Sequence, residues 1–182
     1  MPITGFGPLT GAVASFDRAV DRRLEPLRAN PTANRVLYAA SEAGNFSVLW
    51  HVLAWAPVVV APPPRRIARA ARVSVALGVE SAVVNGPIKS MFRRERPTAP
   101  AGGRPHRLRT PKTSSFPSGH ATAAMVAAAM LGRRSRLSPL YHLAGIVVAT
   151  SRVHVRIHHA SDVVGGLAIG VVLGRIARRL LR

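Results

Sequence analysis

The chain alternates between apolar runs and short segments that are rich in arginine. Five apolar runs have helical length, and they cover about residues 36–61, 67–92, 119–131, 139–151 and 159–179. No stretch shows the sustained alternation of polar and apolar residues that predicts a strand. We therefore predict an all-α, membrane-embedded helix bundle with about five transmembrane helices. A soluble helix bundle is the alternative, because the runs are shorter or more polar than the ~20 unbroken apolar residues of a simple transmembrane helix.

Glycines mark the last apolar run. Gly166, Gly170 and Gly174 follow one another at four-residue intervals, so they lie on one face of a helix. This spacing lets two helices approach closely within a membrane bundle. We expect this face of the last helix to pack tightly against another helix.

The first 34 residues have a different pattern. Apolar side chains recur there at helical spacing, at Phe16, Val20, Leu24 and Leu27. Arginines lie beside them, at Arg18, Arg22, Arg23 and Arg28. No charged start precedes an apolar core, so we expect no secretory signal peptide. We predict an amphipathic segment on the membrane surface over residues 1–34 and a helical domain over residues 35–182. A helix that packs on the soluble side of the bundle is the alternative.

The net charge and the distribution of basic residues distinguish between the classes of protein that the sequence could represent. The chain of 182 residues has 26 basic and 7 acidic residues, a formal net charge of +19, and 48% hydrophobic residues. A nucleic-acid-binding protein spreads its basic residues over polar surfaces, whereas these cluster between apolar runs, as in the loops of a membrane protein. We therefore expect a multi-pass protein of the cell membrane with no nucleic-acid partner. Disulfide and thiolate chemistry are excluded, because the sequence contains no cysteine.

The stretch from Ser151 to Asp162 contains several side chains that could take part in a reaction. If a helix begins near His158, Asp162 lies one turn further along the same face. Its carboxylate can then hold one imidazole nitrogen and leave the other free to react, while Arg152 holds an anion. A solvated loop is one alternative. A metal site formed by His154, His158 and Asp162 is another, but nearby arginines repel a cation and no glutamate base lies between the histidines.

Two further blocks lie where apolar runs begin or end. Ser118 and Gly119 precede an apolar run, and the N-terminus of a helix there would offer free N–H groups and a favourable dipole to an anion. Ser118 is also a good N-cap residue, and His120 lies in the first turn. Lys89 and Arg96 end an earlier run. Taken singly, these blocks are a capped helix with a surface histidine and an ordinary basic helix end.

Together the three blocks resemble a known signature. Lys89-x6-Arg96-Pro97, Pro117-Ser118-Gly119-His120 and Ser151-Arg152-x5-His158-x3-Asp162 are similar to the three-part motif of the type 2 phosphatidic acid phosphatase (PAP2) superfamily. The motifs match that pattern at every fixed position and in the same order. With the helices around them, the resemblance covers about residues 36–179.

The resemblance implies a lipid phosphatase without metal or other cofactor. His158 would be the nucleophile, held by Asp162, and would form a phosphohistidine, while His120 would be the general acid and then the base. The phosphate-binding residues would be Lys89, Arg96, Ser118, Gly119 and Arg152. The substrate would be a phosphomonoester or diphosphate of a membrane lipid, of the polyprenyl or phosphatidate class, reached from the bilayer.

Other functions and assemblies stay open. A vanadate-dependent haloperoxidase shares this pocket by family resemblance, but such enzymes are larger and soluble. A non-catalytic membrane scaffold would have no reason to keep His120, His158 and Asp162 at the family spacing. Bacterial members of the family commonly have six transmembrane helices, so five imply that the N-terminal segment replaces one or that a homo-oligomer completes the bundle.

Overall fold

The computed structural model describes residues 7–99, 103–106, 108–111 and 113–181, and all regular structure within those ranges is helical. The seven α-helices are α1 (Gly7–Ala29), α2 (Pro31–Ala43), α3 (Val48–Val60), α4 (Pro64–Val83), α5 (Gly119–Leu131), α6 (Ser138–His154) and α7 (Ala160–Leu180). A 3₁₀ turn, Asn45–Ser47, joins α2 to α3, and a π-helical turn, Val84–Ile88, extends α4. The predicted all-α class is confirmed.

Helix α5 lies at the centre of the bundle and is buried along almost its whole length. It packs against α4, α6 and α7. The contact between α5 and α7 is close because α7 has glycines there. A Cβ added to Gly166 would lie 2.6 Å from the Ser118 carbonyl oxygen, and a Cβ added to Gly170 would lie 2.6 Å from the Thr122 carbonyl oxygen. The sequence-based expectation of a glycine packing face on α7 therefore agrees with the structure. This contact holds the first turn of α7 beside the residue that precedes α5.

The first predicted apolar run is not one helix. Its two parts, Pro31–Ala43 and Asn45–Val60, are bent by 67°. Phe46 and Ser47 have φ angles of 51° and 59° at the bend, a left-handed conformation that an α-helix cannot contain. The chain therefore changes direction sharply in the middle of the run.

The second predicted run also ends earlier than expected, because α4 stops at Val83 and the helix continues only as a π-helical turn. Pro87 has no N–H to donate, and Gly86 has the non-helical angles φ −89° and ψ −106°. Such a π-helical turn interrupts the regular hydrogen-bond ladder of an α-helix. Lys89 lies directly beyond this turn.

Among the described residues, one helix, α7, is long and apolar enough to cross a membrane, and the bent pair Pro31–Ala43 with Asn45–Val60 passes the same test when taken together. Helix α5 is apolar but has only 13 residues, about 20 Å at 1.5 Å per residue. The first turns of α4 carry four arginines within nine residues. The predicted count of five transmembrane helices is therefore not confirmed.

Helix α1 packs against α2, α6 and α7. Its Val20 and Leu24 contact a buried apolar cluster, and Arg28 donates hydrogen bonds to the carbonyls of Val153 and His154 at the end of α6. The helix therefore lies across the end of the bundle where α6 finishes and α7 begins. A position on the membrane surface stays a prediction for residues 1–34.

Candidate active site

The structure brings the three motif blocks to one end of the bundle. The Ser118 N–H donates to the Asp162 carbonyl at 3.0 Å, which joins the start of α5 to the start of α7. A Cβ added to Gly119 would lie 3.8 Å from Lys89 Nζ. Arg152 ends α6 nearby, and its charge acts on Lys89. Residues far apart in the sequence therefore share one site.

His158 lies between an acid and a permanent cation. Its Nδ1 is 3.5 Å from Asp162 Oδ2, and its Nε2 is 3.3 Å from Arg96 Nη1. Arginine stays protonated in proteins and can only donate, so Nε2 is the acceptor and carries the lone pair. The proton of the neutral ring is then on Nδ1, facing the carboxylate.

Electrostatics keep this imidazole neutral. Burial lowers the pKa of His158 to about 4, with the charges of Arg96 and Arg152 acting in the same direction and Asp162 opposing them. The side chain is buried in the loop between α6 and α7. At neutral pH its Nε2 is therefore available as a nucleophile.

His158 lies just before α7, which begins at Ala160 with His159 as its N-cap residue, close to the start that the apolar run predicted. The pairing with Asp162 therefore does not require His158 to lie on the helix. Asp162 lies in the first turn, where its Oδ2 accepts a hydrogen bond from the His159 N–H at 2.8 Å. A carboxylate is favoured at this end of the helix dipole. The helix therefore orients Asp162, and the histidine approaches it from the preceding loop.

Two residues that sequence reasoning missed complete the surroundings of Asp162. Arg94 Nη1 lies 2.6 Å from Asp162 Oδ1, and Arg94 Nη2 lies 2.6 Å from Asp17 Oδ2. Asp17, on α1, also accepts from the N–H and the hydroxyl of Ser161, both at 2.8 Å. Nothing in the spacing of the arginine-rich segment distinguishes Arg94 from its neighbours. The network ties α1, the loop after α4 and α7 together behind His158 and Asp162.

Unpaired buried donors point to an anion site. Arg152 is fully buried; its Nη1 donates to Ser41 Oγ, while Nε and Nη2 have no hydrogen-bond partner within the described part of the chain. Ser118 Oγ is also fully buried and unpaired there. Its hydroxyl makes no capping bond to α5, contrary to the N-cap expectation. A buried unpaired donor costs about 1–3 kcal/mol, so donors left in this state indicate a ligand.

The general-acid candidate is held by the bend between α2 and α3. His120 Nε2 lies 3.1 Å from Asn45 Oδ1. A Cβ added to Gly44 would lie 2.7 Å from the His120 ring, so the glycine lets the backbone approach the imidazole. Asn45 was not singled out from the sequence as a site residue, because its role depends on the bend.

Another histidine of the stretch, His154, faces elsewhere. His154 Nε2 lies 2.7 Å from Asn34 Oδ1, rather than beside Asp162 in a shared ligand set. Within the residues that the structure describes, no group of three or more histidine, cysteine or acidic side chains is placed to hold a metal ion.

Comparison with known sequences agrees with the motif resemblance. Residues 69–182 match the family model of the PAP2 superfamily. A relative from Mycobacterium tuberculosis, decaprenylphosphoryl-5-phosphoribose phosphatase, is 35% identical over 136 residues, which are 75% of this chain and 73% of the relative. The protein of the same name from Mycolicibacterium smegmatis is 36% identical over 128 residues, 70% of this chain and 68% of its own.

Solved structures share the fold. A transmembrane PAP2 type phosphatidylglycerolphosphate phosphatase from Bacillus subtilis gives a TM-score of 0.68 at 24% identity, covering 93% of this chain and 86% of its own. LpxE from Aquifex aeolicus gives 0.66 at 21% identity, covering 87% and 93%. At these identities the likeness concerns the fold alone.

Proposed function

Because the chain belongs to the PAP2 superfamily, we propose that it removes the phosphomonoester from a membrane lipid of the polyprenyl-phosphosugar class. The chain is a phosphatase, as its family and its named relatives show. The relatives are named for a decaprenylphosphoryl phosphoribose, which supports a polyprenyl-linked substrate. Polyprenyl diphosphate and phosphatidate are the other candidates within the class of lipid phosphates.

One observation carries the mechanism: unpaired buried donors on Arg152 and Ser118 lie at the end of the bundle where the Nε2 lone pair of His158 faces the Arg96 guanidinium. The three cations of the site, Lys89, Arg96 and Arg152, would neutralise the non-bridging oxygens of the phosphoryl group. The Gly119 N–H and the Ser118 hydroxyl would add neutral donors of the oxyanion-hole kind. Phosphoryl transfer depends mainly on such positioning and charge neutralisation.

In the first step, His158 Nε2 would attack phosphorus while the bond to the leaving oxygen breaks. His120 would donate a proton to that oxygen, so that an alcohol leaves and a phosphohistidine remains. Asp162 would stabilise the imidazole through its Nδ1 proton. The chemistry needs no metal, because the three cations perform the neutralisation.

In the second step, His120 would accept a proton from water as the water oxygen attacks the phosphohistidine. The N–P bond would break, inorganic phosphate would leave, and the Nε2 lone pair would return to His158. His120 therefore acts first as acid and then as base, and the two steps restore the starting protonation of both histidines.

The membrane arrangement is part of the proposal. Helix α7 and the bent pair α2–α3 are the candidates for membrane-crossing segments by length and composition. We propose a multi-pass protein of the cell membrane in which shorter helices complete the bundle, with a second copy of the chain as a candidate partner. The lipid tail of the substrate would stay in the bilayer while its phosphate enters the site.

The test measures phosphate release by the full chain in detergent, with EDTA present. The substrates are a polyprenyl-phosphosugar phosphate, polyprenyl diphosphate, phosphatidate and phosphatidylglycerol phosphate. We expect release from the first substrate, unaffected by EDTA, and a loss of more than about a thousand-fold in His158→Ala. His142→Ala is the matched control, because His142 is exposed on α6 and bonds only to its own helix. Release that persists in His158→Ala, or that EDTA abolishes, would contradict the mechanism.

A further inference from the structure

A cavity of about 620 Å³ lies between α1 and the loop that carries the nucleophile. Arg96 and His158 line it on one side, and Arg18 and Arg22 of α1 line it on the other. Arg18 and Arg22 are four residues apart, so they lie on one helix face, about 6 Å apart along the axis. The proposed mechanism uses Arg96 and His158 but assigns nothing to the two arginines of α1.

The charges around this cavity leave those two arginines available. Of the three carboxylates that line it, Asp17 is paired with Arg94 and Asp21 with Arg28, and the third, Glu95, is exposed. Within the described part of the chain, neither Arg18 nor Arg22 forms an ion pair, and Arg18 donates only to the neutral Ser15 hydroxyl, at 3.2 Å. Two exposed cations that form no ion pair among the described residues therefore line the cavity that His158 also lines.

We propose that Arg18 and Arg22 form a second anion subsite, which binds the phosphodiester of a substrate whose phosphomonoester reacts at His158. The proposal rests on the proposed function and narrows its substrate class. A polyprenyl-phosphosugar phosphate carries both groups, separated by the sugar, whereas phosphatidate carries one phosphate. The guanidinium group matches the paired oxygens of a phosphodiester.

The consequence is a preference between lipid phosphates. A substrate with a monoester and a separate diester contacts both the catalytic cations and α1. A substrate with a single phosphate contacts the catalytic cations alone, and its binding is independent of Arg18 and Arg22. Helix α1 thereby determines specificity without contact with the reacting atoms.

The experiment compares Arg18→Gln, Arg22→Gln and the double variant with the wild-type full chain in lipid nanodiscs. Arg23→Gln is the control, because Arg23 is an exposed arginine of the same helix that does not line the cavity. Two readouts are taken: kcat/KM on a polyprenyl-phosphosugar phosphate and on phosphatidate, and equilibrium binding of the polyprenyl-phosphosugar product. The product retains only the diester, so its binding reports the subsite without turnover.

We expect the double variant to lower kcat/KM on the two-phosphate substrate and to weaken product binding, each about ten-fold. The kcat/KM of the double variant on phosphatidate should change by less than about two-fold. Arg23→Gln should match the wild type in every assay. Equal losses on both substrates, unchanged product binding, or the same losses in Arg23→Gln would each overturn the subsite. If the wild type releases no phosphate while product binding still depends on Arg18 and Arg22, the subsite stands and the proposed function fails.

Discussion

Both ends of the helix bundle are rich in arginine, but they use it differently. At the end that carries the candidate active site, Arg152 is fully buried and Arg94 joins two carboxylates. At the opposite end, a cavity of about 400 Å³ is lined by five arginines and, among the residues that the structure describes, by no acidic side chain. The arginines in question are Arg65, Arg69, Arg72, Arg133 and Arg134.

At the opposite end, arginines donate hydrogen bonds to carbonyls at the C-terminal ends of helices. Arg69 donates to the Leu131 carbonyl at the end of α5, and Arg133 donates to the Leu181 carbonyl after α7, at 3.3 Å. Cations are favoured at such helix ends, where carbonyls lack partners and the dipole is negative. Arg65 and Arg72 stay exposed to solvent. Charge alone therefore does not distinguish the candidate active site from the opposite end, whereas the buried, unpaired donors of Arg152 and Ser118 do.

Of the substitutions that compare the two ends, one at Arg152 should reduce activity the most. Arg152→Gln removes a buried cation with two unpaired nitrogens. We expect kcat/KM for phosphate release to fall about a hundred- to a thousand-fold, as for the loss of one oxyanion-hole donor. The measurement is steady-state kinetics on the preferred lipid phosphate. Activity within a few-fold of the wild type would show that Arg152 does not contact the phosphoryl group.

Arg94→Gln tests the network behind the catalytic pair. The change removes the cation that lies 2.6 Å from both Asp162 and Asp17 and leaves Asp162 less firmly oriented. We expect kcat to fall about ten- to a hundred-fold, as when the hydrogen-bond partners that orient metal-binding side chains are removed in other enzymes, with KM nearly unchanged. Arg93→Gln is the matched control, since Arg93 is an exposed neighbour without an ion pair among the described residues. A rise in KM with unchanged kcat would instead assign Arg94 to substrate binding.

Buried histidine at the catalytic end should make stability depend on pH. The pKa of His158 is about 4 in the folded protein and 6.5 when unperturbed, so between these values the unfolded chain binds a proton that the folded protein does not. The free energy of unfolding should therefore fall as the pH is lowered, with a loss of about 2 kcal/mol between pH 7.5 and pH 5 from this group.

The measurement is the thermal midpoint at both pH values for the wild type and for His158→Gln. The variant should lose less stability on acidification than the wild type does. His142→Gln, which replaces an exposed histidine of α6, should behave as the wild type. An identical acid-induced loss in His158→Gln would show that His158 is not held neutral.

Substitutions at the opposite end of the bundle should have the smallest effect on activity and stability. Arg65→Gln combined with Arg72→Gln removes two exposed charges from the cavity there. Surface substitutions of this kind usually change stability by no more than about 0.5 kcal/mol, so kcat/KM and the thermal midpoint should stay close to wild-type values. A loss comparable with that of Arg152→Gln would mean that the two ends are functionally coupled.

Much of the site could be predicted from the sequence because its motifs are local. Ser118, Gly119 and His120 are consecutive, and Arg152, His158 and Asp162 lie within eleven residues, so their spacing carried information about a shared site. The apolar patterns likewise predicted α5, α6 and α7 to within a few residues. The roles assigned to these residues stay predictions until the variants are measured.

The tertiary structure decided which residues from distant parts of the chain contact the site. Asp17 and Ser161 are 144 positions apart, and Arg94 and Asp17 are 77 positions apart, so no local pattern could join them. Asn45 reaches His120 because the chain bends by 67° after α2, where the apolar run over about residues 36–61 predicted a single helix. By itself the sequence determined the helical class, the family and the chemistry carried by neighbouring residues. Only the packing of distant helices decided which carboxylates, amides and arginines surround that chemistry, because such contacts depend on the path of the whole chain rather than on spacing within one segment.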